Sequence, residues 1–105
     1  MNETKAKFAP GALVVHRLFE YRGVVTDVDP YFKGTPDWYE AVARSRPPKD
    51  RPWYHVLVDG GGHRTYVAER NLEADATGRP IDHPAVADHF ESLGDGAYIP
   101  RQRPN

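Results

Sequence analysis

Five histidines, His16, His55, His63, His83 and His89, are the side chains in this chain best able to hold a metal or move a proton. They are scattered, with no H-E-x-x-H spacing and no carboxylate cluster beside them. There is no cysteine to add a thiolate, so no metal site is expected. His16 and His55 fall among apolar neighbours in β-like runs and read as hydrogen-bonded strand histidines. The only serines are Ser45 and Ser92, and neither sits in a G-x-S-x-G setting. Asp27 and Asp29 are two apart and would share a strand face, the proximity that acid–base work needs. Pro30 follows directly, so the pair also reads as the turn that ends a strand. Gly60-Gly61-Gly62 has no following Lys-Ser/Thr and lies between two strand-like runs, which makes it a hairpin rather than a phosphate cradle. No nucleophile, ligand set or acid–base pair survives these comparisons, so neither an enzyme nor a cofactor is expected.

A second pattern is more promising. Tyr21, Arg22, Tyr31, Lys33, Trp38, Tyr39, Arg44, Arg46, Lys49, Arg51, Trp53 and Tyr54 interleave rings and cations. On a curved sheet such residues can stack on bases and hold backbone phosphates. Alternatively Trp38, Trp53 and Tyr54 are packed inside and the cations form a solvated rim. Arg44, Arg46, Lys49 and Arg51 have only Asp50 close by to pair with, which makes them the leading patch. Arg101 and Arg103 make the C-terminus basic; they could reach phosphates or a partner, or simply be solvated.

The elements that position these residues are short. The chain has 105 residues, enough for one domain. Charged residues are 28 % and hydrophobic ones 39 %, a folded balance rather than a disordered one. The formal net charge is −1, which gives no bulk support for nucleic-acid binding. Its distribution does: Met1–Val58 carries 9 Lys/Arg against 7 Asp/Glu, Asp59–Gly96 carries 3 against 8, and the tail carries 2 against none. One cationic face beside an acidic remainder is the expected result. The lack of cysteine fits a reducing cytoplasm. Met1–Pro10 lacks an apolar core, so no signal peptide is expected, and no run approaches the roughly 18 apolar residues that span a bilayer.

Ten prolines and nine glycines punctuate the chain into many turns. Residues 1–7 read as a polar, frayed start. Strands are expected at Ala12–Arg17, Gly23–Val28, Trp53–Val58 and His63–Ala68, the third buried and central. Thr35 and Pro36 predict a helix N-terminus running on through Asp37–Arg44. Ser45–Pro52 reads as an exposed loop, Glu69–Leu72 as a helical turn and Glu73–Arg79 as loop. A second short helix is expected from Pro84 to about Ser92, and Ala97–Ile99 can add a last strand before a basic tail at 100–105. The sum is a mainly β fold, a small, partly open SH3-like barrel with two short helical inserts.

Four ordered motifs carry a family resemblance. Gly11–Arg17 with Tyr21–Pro30, then Pro52–Val58, then Tyr66–Leu72, then His83-Pro84 together resemble the HspQ/YccV family. The resemblance covers residues 8–93 and, weakly, the tail. It implies a small bacterial heat shock protein of the cytoplasm with a hemimethylated-DNA-binding domain at 8–99, an SH3-like barrel and a trimeric assembly. It implies two roles: binding of hemimethylated DNA, linked to turnover of the replication initiator, and service as a specificity-enhancing adaptor and substrate of the Lon protease. Reading one adenine methyl in the major groove calls for an apolar or aromatic contact beside phosphate-binding cations. Tyr21, Tyr31 and Trp38 beside Arg17, Arg22 and Lys33 are the candidates.

Overall fold

The structure is a computed structural model that describes residues 5–101. Its main sheet has five antiparallel strands: β1 (Leu13–His16), β2 (Arg22–Asp29), β3 (Trp53–Val58), β4 (Arg64–Ala68) and β5 (Leu72–Ala74). Their order is β4-β3-β2-β1-β5, so the chain meanders and then returns to pair β5 with β1. Strands β4 and β5 are the two edges, joined by a 3-10 turn at Glu69–Asn71. This is the partly open, SH3-like barrel that the sequence predicts.

The apolar runs of β1, β2 and β3 are buried on both faces, which is why they do not alternate. One face closes the barrel interior with Val14, Val25, Tyr54, Val56, Val67 and Leu72. The opposite face is covered at two separate places. Leu13, Val24 and Leu57 pack under Ile81, Ala85, Phe90 and Tyr98 from the C-terminal third. Trp53 and Ala68 pack with Tyr39 under helix α1 (Pro36–Val42), with Phe32, Trp38 and Tyr66 around them. The β3–β4 hairpin turns through Gly60 (φ 88°) and Gly62 (φ 69°), left-handed positions that favour glycine, and closes with Val58 N–H donating to the His63 carbonyl at 2.9 Å.

Several boundaries differ from expectation. The helix expected from Pro84 to Ser92 is only α2, Val86–His89. Phe90–Leu93 is instead a strand, β6, paired with β7 (Tyr98–Pro100). Phe90 is buried against Tyr98, and the return of the chain through Gly94–Gly96 gives it a β partner. Glu73 and Ala74, read as loop, belong to β5 because β1 offers them an open edge. Residue 7 is tied down: Lys7 N–H donates to Glu69 at 2.8 Å, and the Phe8 ring meets Tyr54 edge-on at 5.6 Å. Gly11 is fixed by a close approach, since a Cβ there would lie 2.1 Å from the Tyr98 carbonyl oxygen. No helix among the described residues is long and apolar enough to cross a membrane.

Candidate nucleic-acid interface

An open groove of about 960 Å³ runs beside β4, between the β1–β2 turn and the C-terminal end of α1. Three local structures build it. The first is the turn Arg17–Glu20. His16 N–H donates to the Tyr21 carbonyl at 2.9 Å, and Glu20 N–H donates back to the His16 carbonyl at 2.8 Å. The buried His16 imidazole accepts from the N–H groups of Leu18 and Phe19, both at 3.1 Å, through Nδ1. Leu18 and Phe19 are thereby held outward as an apolar tip, Phe19 with 73 % of its surface exposed. Burial lowers the His16 pKa below its ordinary value, which suits a ring that must accept at Nδ1.

The second is α1. Thr35 caps it, its hydroxyl accepting from Trp38 N–H at 3.1 Å, and Pro36 opens it. Trp38 leans on Phe32, Trp53 and Tyr66, and Val42 is exposed at the far end of the helix. The third is the loop after α1. It is pinned rather than loose: the Tyr39 hydroxyl donates to the Pro47 carbonyl at 2.7 Å, and Trp53 Nε1–H donates to the Pro48 carbonyl at 3.0 Å.

The floor is β4 with its neighbours. The Tyr66 hydroxyl donates to Asp29 at 2.6 Å and accepts from Lys33 N–H at 3.0 Å. His55 Nε2 lies 3.2 Å from the same Asp29 carboxylate. Asp29 therefore anchors the groove floor rather than forming an acid–base pair with Asp27. Burial first, and then the bond to Asp29, push the Tyr66 phenol well above the ordinary range. The Tyr21 and Thr65 hydroxyls meet at 2.8 Å across the groove's inner wall.

The cations expected from sequence divide into two groups. Arg22 is not a surface contact. Its guanidinium reaches Asp75 at 2.7 Å and Asp59 at 3.3 Å, and it donates to the carbonyls of Arg79 and Pro80. Only 14 % of its side chain is exposed, because two acids of the second half need its charge. Arg46 is exposed but pairs with Glu40 at 2.8 Å, a partner that the helix brings to it. Lys49 lies over the Tyr39 ring, 4.2 Å from its centroid. Tyr31 and Lys33 meet each other on the β2–α1 loop, 5.3 Å from ammonium to ring centroid, and do not line the groove. Arg101 donates to the Ala87 carbonyl at 2.7 Å, and Arg103 lies outside the described residues.

Arg17 meets the segment that carries Arg44 through Arg70, which, like Arg64, was not singled out from sequence. Arg17 Nη1 donates to the Arg70 carbonyl at 3.3 Å, and Arg70 donates to the Ser45 carbonyl, next to Arg44. Asn71 adds a bond to the Ser45 hydroxyl at 3.2 Å. The β1–β2 turn, the 3-10 turn and the post-helix loop thus share one surface. Arg51 and Arg70 line a smaller hollow together with Lys7 and one acid, Glu69. Arg64, on β4, lines the main groove opposite Arg44. Among the described residues no Asp or Glu lines that groove. Arg64 and Arg70 lie in the acidic stretch of the chain and have no cationic neighbours along it; Leu18-Phe19 was legible only as two apolar residues in a turn.

Tyr21 and Trp38 line the groove too, both half-buried rather than displayed. An exposed apolar tip, a ring-lined trough and arginines on its rim are what contact with a polyanion carrying apolar features requires. The family model described as hemimethylated DNA-binding protein YccV like matches residues 6–97, from ahead of β1 to the start of β7, and the chain belongs to that YccV-like family.

Proposed function

We propose that this protein binds hemimethylated duplex DNA through the surface shared by Arg17, Arg44, Arg51 and Arg70, with Leu18 and Phe19 as the element that meets the base edges. The observation that carries this reading is the bonded chain Arg17–Arg70–Ser45, which sets cations from three segments beside the most exposed aromatic ring of the described residues. Arginines on phosphates fix position and register, and carry no sequence information. An adenine methyl stands in the major groove, where a ring edge can cover it. One buried methyl is worth about 0.8 kcal/mol, roughly a fourfold preference. Assembly into a trimer would repeat the contact and sharpen it. Control of replication-initiator turnover, in the cytoplasm, is the role this binding would serve.

The test is fluorescence anisotropy against matched unmethylated, hemimethylated and fully methylated duplexes across a salt series. Four phosphate contacts give a slope of log K against log salt of about −3 to −4. Equal binding of the three duplexes would contradict the methyl reading.

A second reading, adaptor and substrate of the Lon protease, is favoured by the apolar groove, lined by no acid among the described residues, which suits a protein partner as well. It requires that the pure protein accelerate Lon proteolysis in the absence of DNA.

A further inference from the structure

Strand β4 is an edge, and the groove runs along it. All five of its residues, Arg64 to Ala68, line the groove. Val67 belongs to the barrel interior, and Tyr66 and Ala68 to the cluster under α1. Only a trough lying against the open side of the strand touches side chains from both faces of the sheet.

The ladder shows which backbone groups face that trough. Val58 N–H donates to the His63 carbonyl, and the β3–β4 register pairs Leu57 with Arg64, Val56 with Thr65, His55 with Tyr66 and Tyr54 with Val67. Bonded and non-bonded pairs alternate in an antiparallel ladder. Thr65 and Val67 therefore bond to β3, and the N–H and C=O groups of Arg64 and Tyr66 point away from it. Among the described residues nothing hydrogen bonds to those four groups. The edge is not blunted by proline or by a bulge, and its one charge is Arg64.

We infer that β4 receives an extended segment of another protein, added as a further antiparallel strand, with apolar side chains and carboxylates. Hydrogen bonds to Arg64 and Tyr66 supply the backbone pairing, as strand addition requires. The apolar requirement comes from Leu18, Phe19 and Val42, three of the five large exposed hydrophobics, which line this one groove. The acidic requirement comes from charge: Arg44 and Arg64 face the trough, and among the described residues neither has an ion-pair partner and no acid lines the trough. This docking is separate from the DNA reading, although Phe19 and Arg44 serve both and the two occupants would compete.

The experiment uses the full-length protein, nitrogen-15 labelled, and a capped seven-residue peptide alternating glutamate with valine and phenylalanine. The largest amide shifts are expected at Arg64 and Tyr66, with slowed hydrogen exchange at both. A peptide with lysine for every glutamate, or one N-methylated at alternate residues, is expected not to bind. Arg64→Glu is expected to weaken binding about tenfold. Unmoved Arg64 and Tyr66 amides, equal binding of the lysine peptide, or a second copy of the chain already protecting those amides would overturn the inference. The N-methylated peptide keeps the test valid should Arg64→Glu fold poorly. Duplex anisotropy on the same samples separates the two readings. Loss of peptide binding alone sinks this one, and loss of DNA binding alone sinks the other.

Discussion

The imidazole of His16 lies nearly flat against the ring of Phe19, with centroids 4.6 Å apart and 25° between planes, while its Nδ1 accepts that residue's N–H at 3.1 Å. One buried side chain thus fixes both the backbone and the ring of the exposed tip. A proton on Nδ1 would remove the acceptor from two N–H groups at once. The folded pKa is lowered, so below pH about 6.5 the unfolded chain takes up this proton more readily than the native one. Stability from this group is complete above that value and is lost as pH falls toward the folded pKa. His16→Asn keeps an acceptor in place without titrating. Thermal melts from pH 7.5 down to 5 are expected to fall for the natural protein and to stay flatter for His16→Asn. His16→Ala, which orphans two N–H groups, is expected to cost about 1–3 kcal/mol in denaturant unfolding.

Arg22 is a structural residue. Replacing it with Leu leaves Asp75, whose side chain is only 3 % exposed, without its partner. Urea unfolding is expected to show a loss of about 3 kcal/mol. Burial alone would push the Asp75 carboxyl up, but bonds from Arg22 and Thr77 outweigh it and hold it below the usual range. Stability from that carboxyl is therefore present above pH about 4 and lost in stronger acid. The folded fraction of Arg22→Leu is expected to bind duplex DNA as the natural protein does; a matching loss of affinity would restore Arg22 to the interface.

Tyr66→Phe removes a donor to Asp29 and an acceptor for Lys33 N–H. The expected loss is about 1–2 kcal/mol. The raised phenol pKa gives an alkaline counterpart. Unfolded chains ionise near pH 10 while the native phenol resists, so its contribution holds below that pH and is lost as pH rises further. Tyrosinate absorbance during alkaline titration is expected to show fewer late-titrating phenols in Tyr66→Phe.

Phe19→Ala removes an exposed ring, so stability is expected to change by less than about 0.5 kcal/mol. The proposed preference for hemimethylated over unmethylated duplex, expected to be roughly fourfold in the natural protein, is expected to vanish in the variant. A preserved preference would move methyl contact to another residue.

Much of the barrel was legible because local signals agreed with packing. The Thr35-Pro36 start of α1, the run Trp53–Val58 and the glycine turn after it fall where expected. Leu72–Ala74 was hidden because its partner β1 lies about 60 residues earlier, and Phe90–Leu93 because its apolar spacing also suits a helix and only the pairing with β7 fixes it as a strand. The candidate site was legible in part. Ring and cation alternation pointed to Tyr21, Trp38 and Arg44, which do line the groove. It could not separate Arg44 from Arg22 and Arg46, since that depends on where Asp75 and Glu40 arrive in space. Arg64 and Arg70 gave no local sign, because the turn at Ser45 reaches Arg70 only in the fold.

The central claim rests on arginines from three segments acting on one duplex. The most direct measurement is the salt slope of hemimethylated-duplex binding for the natural protein and for the double variant Arg17→Glu, Arg70→Glu. The account predicts a slope of about −3 to −4 that falls in magnitude by about two in the variant, with weaker affinity at every salt concentration. An unchanged slope and affinity in a folded double variant would contradict it.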